Sequence, residues 1–336
     1  MSKNGVLNNT RSMTRKIIFQ CNADKQSGLG HFTRCLNIAN SVKYIEPSVE
    51  LIFNGNFNLF ATTLLHSSSI LFISTSDLSD YREHILVLDD YNITQVEIDR
   101  LRQQVNTFIK IDDFNNFDLS KLDLVINFRL NAEMMSYTSQ NYCLGLAYFP
   151  FKLSLRDIRE KNIHTEKVEV QNIFIFIGEG DETNAGKKLV RIVDEIVSNK
   201  QISLVDKNTF QQHTQQLGKN SVTYLPLISE IEKYYSNADI FITGGGLSKY
   251  EVAYCCIPNA AISQNEGQAV DTQIFAKGNL TYDLGLVELL DSNPELVKFS
   301  IQEFLEKQTL ETIRRSAVEK FETSSSLELA KQLLKV

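Results

Sequence analysis

The stretch Asn22-Ala-Asp-Lys-Gln-Ser-Gly-Leu-Gly-His-Phe-Thr-Arg34 lies between an apolar, strand-like run and a helix-like run. Residues 16–20 enter the stretch and residues 32–41 leave it. Gly28, Gly30 and His31 therefore fall on a turn from a strand to a helix. Such a turn lets the backbone and the amino end of the helix approach an anion closely. The stretch predicts an α/β fold with a ligand site at its first turn.

A second glycine turn, Gly244-Gly245-Gly246, lies in the C-terminal half and precedes a predicted helix at 249–256. With 336 residues, the chain is too long for one ordinary core and fits two domains. One glycine turn in each half predicts a ligand held by two domains.

Short apolar runs alternate with amphipathic helical stretches along the whole chain. Most of these runs lack strict apolar–polar alternation, which indicates strands buried on both faces in parallel sheets covered by helices. The predicted strands are residues 16–20, 50–53, 70–73, 85–88, 107–111, 124–127, 173–177, 202–205, 222–225, 240–243 and 259–263.

The domain boundary is predicted in the charged, weakly apolar segment between residues 150 and 170. This gives a disordered leader at 1–14, an N-terminal Rossmann-like domain at 15–155 and a C-terminal, nucleotide-binding domain at 156–336. Residues 294–336 are predicted as two helices split by Thr323-Ser-Ser-Ser326.

Composition excludes several functional classes. The net charge of −7 without a basic block argues against nucleic-acid binding. No apolar run approaches the roughly 20 residues of a membrane-spanning helix, and residues 1–13 lack the apolar core of a secretory signal. The five cysteines form no C-x-x-C pair, which fits reduced thiols in a cytoplasmic protein. We expect no cofactor and no metal site.

His31 and Arg34 are three residues apart and share a helix face. Beside Gly30, they suggest a general base and an anchor that clamps the substrate. The alternative is that His31 caps the helix. Asp24 either orients His31 or binds a substrate hydroxyl, or it forms a turn at the end of the strand.

Carboxylates follow two further strands of the first half. Asp89 and Tyr91 follow the strand at 85–88 and are predicted to hold sugar hydroxyls, while Asp112 and Asp113 repeat the pattern after the next strand. Paired aspartates also suggest a metal site, but an octahedral ion needs more oxygen ligands than one pair supplies. Turn formation explains one pair, whereas two pairs on neighbouring strand ends favour a polar pocket.

The second half offers a nucleotide site at its glycine turn. Backbone N–H groups of Gly245, Gly246, Leu247 and Ser248, with the helix dipole, suit a diphosphate. Glu251, one turn into the helix, is predicted to accept hydrogen bonds from ribose hydroxyls. The alternative is a flexible turn with an exposed glutamate.

Two other turns of the second half are candidates for substrate binding. Glu266 and Gln268 follow the strand at 259–263 and are predicted to recognise a sugar. Asp181 and Asn184 lie on the turn after the strand at 173–177. Helix capping explains this last pair equally well.

Taken in order, these motifs resemble a known family. They are similar to motifs of the nucleotide-sugar hydrolases of the pseudaminic-acid pathway, called PseG, and of related spore-coat polysaccharide proteins. The similarity spans residues 16–285. The family patterns R-A-D…G-x-G-H-x-x-R-C, D-H-Y, I-D-D, G-G-S-D-x-x-N, G-G-S-T-x-W-E and E-N-Q correspond to residues 22–35, 89–91, 111–113, 178–184, 245–251 and 266–268.

The resemblance implies two Rossmann-like domains facing across a cleft, the GT-B arrangement shared with the peptidoglycan N-acetylglucosaminyltransferase MurG. It implies hydrolysis of a UDP-linked diacetamido-trideoxy sugar to UDP and a free sugar that feeds a nonulosonic-acid synthase. His31 would activate water, and Gly245, Gly246, Ser248 and Glu251 would hold the nucleotide. The implied partner is the UDP-sugar substrate. We expect the protein to be a monomer or a weak homo-oligomer.

The chain departs from the family at Asn22, Asp90, Glu179 and Gly267, several of them near the predicted sugar pocket. If a sugar alcohol replaces water, the same fold is a glycosyltransferase that uses the same class of nucleotide sugar. A second alternative is a binding protein without catalysis, which the retention of His31 and both glycine turns disfavours.

Overall fold

The computed structural model describes residues 15–24, 29–78, 82–165, 169–178, 181–228 and 230–336. The leader predicted at 1–14, Gly28 of the first turn and Glu179 lie outside the described residues. By its contacts the chain divides into two compact units. The first extends to Pro150 and includes Leu327–Val336, and the second is Phe151–Ser326.

A seven-stranded parallel sheet organises the first unit. Its strands are β1 (Lys16–Cys21), β2 (Glu50–Asn54), β3 (Leu71–Ile73), β4 (Ile85–Asp89), β5 (Thr107–Ile111), β6 (Leu124–Asn127) and β7 (Tyr142–Leu144). Their spatial order is β3-β2-β1-β4-β5-β6-β7, so the order reverses between β1 and β4. Ligands of open parallel sheets collect at such a switch point, beyond the carboxyl ends of the strands.

Three helices connect these strands: α1 (Gly30–Ile45), α2 (Leu59–Ser67) and α3 (Gln95–Gln104). A capping box between Thr94 and Glu97 fixes the start of α3. Buried side chains of β1, β4 and β5, among them Ile18, Leu86 and Phe108, form one apolar cluster with α3.

The second unit repeats the plan with its own seven-stranded sheet, in the order β10-β11-β9-β8-β12-β13-β14. All pairs are parallel except β10 with β11, and the order reverses between β8 and β12. The strands are β8 (Asn172–Phe176), β9 (Gln201–Val205), β10 (His213–Leu217), β11 (Asn220–Leu225), β12 (Ile240–Gly244), β13 (Asn259–Ser263) and β14 (Tyr282–Leu286).

The remaining helices complete the chain. They are α4 (Leu155–Ile163), α5 (Ala185–Ile196), α6 (Leu247–Tyr254), α7 (Glu266–Lys277), α8 (Leu289–Ser292), α9 (Pro294–Phe304), α10 (Lys307–Lys320) and α11 (Ser325–Lys335). Within the described ranges, no helix combines the length and the apolar character needed to cross a membrane.

Every predicted strand is present, and the sequence missed three. β7 has only three residues, the exposed β10 reads His-Thr-Gln-Gln-Leu, and β14 is interrupted by Asp283 and Gly285. None of these segments shows a continuous apolar run. The prediction of two helices over 294–336 was wrong, because a break at residues 305–306 gives three.

The last helix groups with the first unit, whereas the sequence placed residues 156–336 together. Leu329 and Leu333 of α11 are fully buried. Gln332 and Lys335 line a cavity together with Tyr142 of β7. Contacts with residues far back along the chain therefore decide where this helix packs.

Arg159 of α4 joins separate parts of the second unit. Its buried guanidinium donates to the carbonyl oxygens of Tyr254 (2.7 Å), Phe321 (2.5 Å) and Ala317 (3.3 Å). These carbonyls lie at the end of α6 and in and just after the last turns of α10. One side chain thus satisfies acceptors that the helices leave unpaired.

We expect Arg159→Met to lower the free energy of unfolding by at least about 2 kcal/mol, because buried carbonyl oxygens lose their donors. Urea denaturation followed by circular dichroism measures the change. The control is Arg315→Met on the exposed face of α10, for which we expect a change within about 0.5 kcal/mol. Equal stability of the two variants would contradict this role of Arg159.

Candidate functional site

His31 lies in the first turn of α1, next to the carboxyl end of β1. Its Nδ1 atom is 2.6 Å from Oδ1 of Asp89, the last residue of β4. The imidazole is largely buried, and β1 and β4 are the two strands at the switch point. A carboxylate only accepts hydrogen bonds, so Nδ1 donates to Asp89 and Nε2 is the ring nitrogen left for another partner. This geometry resembles the pair of a catalytic base and its orienting carboxylate.

Arg34, one turn further along α1, holds Asp89 in place. Its Nε and Nη2 atoms donate to Oδ2 and Oδ1 of Asp89, each at 2.5 Å, as a bidentate pair. Its Nη1 atom donates to Oδ2 of Asp113 at 2.7 Å. All three side chains are at most 5% exposed, so the guanidinium is enclosed by its partners.

Burial and charge oppose each other in this cluster. Burial by itself raises the pKa of Asp89, but Arg34 and His31 outweigh it and hold that pKa well below its usual range. The pKa of Asp113 is likewise lowered, because Arg34 outweighs the effect of burial. Burial lowers the pKa of Arg34, but the two aspartates raise it above its usual value. Both carboxylates and the guanidinium are therefore charged at neutral pH.

Tyr91 completes the site. Its ring meets the imidazole of His31 edge to face, with 4.1 Å between the centroids, and its hydroxyl donates to Asp113. Burial raises the pKa of Tyr91 far above its usual value, so the phenol stays protonated. The ring is 45% exposed and contacts the exposed ring of Phe114, at 5.0 Å between centroids.

The contacts assign parts to these residues that differ from the sequence expectations. The sequence left the orientation of His31 to Asp24, whereas Asp89 binds its Nδ1 atom. The sequence predicted that Asp89 and Arg34 bind the substrate. Their polar atoms instead bind each other and neighbouring side chains inside the protein. We therefore expect them to position His31. Gly30 is exposed at the start of α1, and Asp24 is half-buried.

The glycine turn of the second unit runs close to its neighbours. A Cβ atom on Gly244 would lie 2.1 Å from the carbonyl oxygen of Ile177, and one on Gly245 would lie 2.7 Å from Oγ of Ser263. Gly246 is exposed, and a Cβ atom on it would meet only the Gln268 side chain, at 4.0 Å. The turn therefore needs glycine where it passes Ile177, just after β8, and Ser263, at the end of β13.

Leu247 and Ser248, half-buried, begin α6 directly after the turn. The N-cap residue is Gly246, which has no side chain to bind the first N–H groups of the helix. These N–H groups lie beyond the carboxyl end of β12, at the switch point of the second sheet. An anion is the partner that such a helix end favours.

Lys249 fixes this turn from inside the protein. No prediction from the sequence covered this lysine. Its fully buried ammonium donates to the carbonyl oxygen of Gly245 at 2.5 Å and to Oδ2 of Asp271 at 2.7 Å. Tyr250 also donates to Asp271, at 3.0 Å. The only sequence signal was a lysine within a stretch that reads as apolar helix.

Glu251 is 9% exposed, in contrast to an open acceptor for ribose. Its Oε2 atom accepts a hydrogen bond from the buried hydroxyl of Tyr235 at 3.2 Å. Burial raises the pKa of Glu251, with Lys152 opposing this effect and Glu232 adding to it. Tyr235 was not singled out by the sequence, because it lies in a short 3-10 helix, Ile231–Asn237.

The other predicted residues of this unit are placed as follows. Asp181 accepts from the N–H groups of Ala185 (2.8 Å) and Gly186 (2.9 Å), so it caps α5, as the capping alternative held. Asn184 precedes that helix in a left-handed conformation. Gln268 lies beside Gly245 and its Oε1 atom accepts from Gln264, whereas Glu266 is exposed. Among the described residues, no group of three or more His, Cys, Asp or Glu side chains is placed to hold a metal ion.

Comparisons with solved structures agree with this architecture. The crystal structure of Acinetobacter baumannii MurG matches with a TM-score of 0.66 at 14% identity, covering 96% of this chain and all of that one. The spinosyn rhamnosyltransferase SpnG complexed with thymidine diphosphate matches with 0.63 at 10% identity, covering 96% and 99%. Arabidopsis thaliana UGT89C1 complexed with quercetin matches with 0.64 at 9% identity, covering 96% and 99%. The chain therefore has the GT-B fold.

Sequence comparisons reach less far. No known protein-family model matches the chain. An uncharacterized protein of Methanocaldococcus jannaschii is 22% identical over 277 residues, which cover 75% of this chain and 56% of that protein. The chain thus spans about half the length of the curated relative that it matches.

We expect Arg34→Met to destabilise the first unit by about 3–5 kcal/mol, because two buried carboxylates lose their cation. In the wild type, Asp89 and Asp113 have lowered pKa values in the folded state, so their stabilisation is complete above about pH 5 and is lost as the pH falls through about 4 and below. The variant should show a weaker loss over this window. Urea midpoints at several pH values measure both effects, and the exposed Arg82→Met serves as control.

The glycine turn provides a matched pair of variants. We expect Gly244→Ala to destabilise the second unit, since its Cβ atom meets a backbone carbonyl at 2.1 Å. Gly246→Ala has its nearest contact at 4.0 Å and should fold normally. Thermal melting of both proteins tests this, and similar melting temperatures would refute the close approach.

Proposed function

We propose that this protein is a glycosyltransferase that uses a nucleotide sugar, with His31 as the general base and the amino end of α6 as the diphosphate site. The observation that carries the proposal is the array His31–Asp89–Arg34 at the switch point of the first sheet. The GT-B glycosyltransferases among the solved structures support the nucleotide sugar as the donor.

In the proposed reaction, Nε2 of His31 takes the proton of an acceptor hydroxyl. The oxygen of that hydroxyl attacks the anomeric carbon of the donor sugar. The bond between that carbon and the diphosphate oxygen breaks, and the nucleoside diphosphate leaves. Asp89 keeps the proton on Nδ1 and stabilises the imidazolium that forms. Arg34 keeps Asp89 charged and fixed.

The departing diphosphate gains negative charge, which the N–H groups at the start of α6 and the hydroxyl of Ser248 would stabilise. This leaving group is already activated, so no protonated carboxylic acid is required at its oxygen. We take UDP as the nucleotide, following the sequence motifs, and the cytoplasm as the location, following the cysteine pattern.

Hydrolysis is the second candidate, because the ordered motifs over residues 16–285 resemble nucleotide-sugar hydrolases. Both reactions use the same base and leaving group and differ in the oxygen nucleophile. Incubating the full chain with UDP-linked amino sugars, with and without sugar acceptors, separates them. Fast UDP release only with an acceptor supports transfer, and fast UDP release without an acceptor supports hydrolysis. If no donor gives fast UDP release under either condition, the proposal is refuted.

We expect His31→Ala to lower turnover by about 10²–10⁴-fold, the usual contribution of a general base. Its affinity for UDP, measured by calorimetry, should stay unchanged because the nucleotide is assigned to α6. His66→Ala, an exposed histidine of α2, is the control and should retain full activity. Turnover of His31→Ala near the wild-type rate would remove His31 from the mechanism.

A further inference from the structure

A polar cavity of about 270 Å³ lies beyond the carboxyl ends of β1, β2 and β3 in the first unit. Residues of β1 and β2, the loop at 74–76, Asp90 and the α3 residues Arg100 and Leu101 line it. None of these residues except Asn22 and Asp90 was singled out by the sequence.

The lining has the chemistry of a site for a neutral, hydroxyl-rich ligand. It presents side-chain amides, which both donate and accept hydrogen bonds, and the hydroxyl groups of residues 74–76. Its charged residues, Asp90 and Arg100, have opposite signs. The amide side chains are those of Gln20, Asn22, Asn54 and Asn56.

Internal hydrogen bonds already fix the walls of this cavity. The Asn54 amide donates to the carbonyl oxygen of Thr75 at 3.0 Å and accepts from its N–H at 2.9 Å, which ties β2 to the loop at 74–76. Oδ1 of Asn22 accepts a hydrogen bond from the backbone N–H of Asn56 at 3.0 Å. The side-chain NH2 group of Asn22 is left for other partners. A site built in advance loses little entropy when a ligand binds.

Gln20 in the wall adds an independent observation. Its Oε1 atom is shielded from solvent and has no hydrogen-bond partner within the described part of the chain. A buried amide oxygen without a donor is unfavourable. A ligand hydroxyl that donates to this amide, once it rotates, would remove the deficit.

The cavity and the His31 cluster use adjacent residues at the end of β4. Asp89 binds His31, while its neighbour Asp90 lines the cavity. Cys21, which also lines the cavity, is the register partner of Asp89 between β1 and β4. Asn22 and Asp90, two of the departures from the motifs that the chain resembles, both lie here.

We propose that this cavity binds the neutral sugar ring of the acceptor and that Asp90 and Asn22 determine which sugar is accepted. The inference rests on the proposed function, since it names where the nucleophile of that reaction is recognised. The carboxylate of Asp90 accepts from sugar hydroxyls, and the Asn22 amine donates to a ring substituent.

Binding is tested first without turnover. Saturation-transfer NMR of the full chain with glucose, galactose and N-acetylglucosamine should detect at least one of them on the wild type and on His31→Ala. Asp90→Ala should weaken this binding at least about tenfold, since a hydrogen bond to a charged group is lost. Asp118→Ala, an exposed aspartate of the same unit, is the control, and melting curves verify that all variants fold. Absence of binding by all three sugars, or equal binding by Asp90→Ala, overturns the proposal.

Kinetics then separate this inference from the proposed function. We expect Asp90→Asn and Asn22→Ala to raise KM for the acceptor while UDP affinity stays unchanged. If sugars bind through Asp90 but no UDP-sugar turns over, the proposed function fails and the sugar site stands. If turnover depends on His31 but the KM for the acceptor is the same in Asp90→Asn and Asn22→Ala as in the wild type, the sugar site fails and the proposed function stands.

Discussion

The guanidinium of Arg34 between Asp89 and Asp113 is the interaction on which the first site depends. The amino end of α1 lies here beside the carboxyl ends of the parallel strands β4 and β5, and Asp89 and Asp113 at these strand ends bring carboxylates into the interior. Without the cation, burial would push both carboxyl groups toward their neutral forms. With it, Asp89 stays charged and can hold Nδ1 of His31, so one buried ion cluster determines both the local packing and the state of the histidine.

The second unit solves a related problem in the same way. The helix α6 starts after Gly246, and the buried cation Lys249 lies in its first turn. Lys249 binds the carbonyl of Gly245 and the carboxylate of Asp271, as Arg34 binds Asp89. In both units a buried cation near the start of the helix pairs with a buried carboxylate, and in the second unit it also fixes the turn before the helix.

This arrangement explains why hydrolysis and transfer are hard to separate by motif. The proposed base, its carboxylate and the proposed diphosphate site would serve both reactions, so they carry no information about the nucleophile. The nucleophile is selected where the protein recognises an acceptor or leaves room for water. The amide-lined cavity beside Asp90 is the place where we propose that a sugar acceptor, and not water alone, is recognised.

The sequence by itself determined the α/β class, the buried strands and the glycine turn before α6, because apolar runs and glycines act through local geometry. It also singled out His31 as a candidate residue. It did not determine the partner of His31, since Asp89 is 58 residues away and reaches it only when β4 pairs with β1. It also missed the burial of Glu251, the Lys249–Asp271 pair and the packing of α11. Each of these depends on which side chains meet across distant elements, and that is settled by tertiary packing and by the need to pair every buried charge.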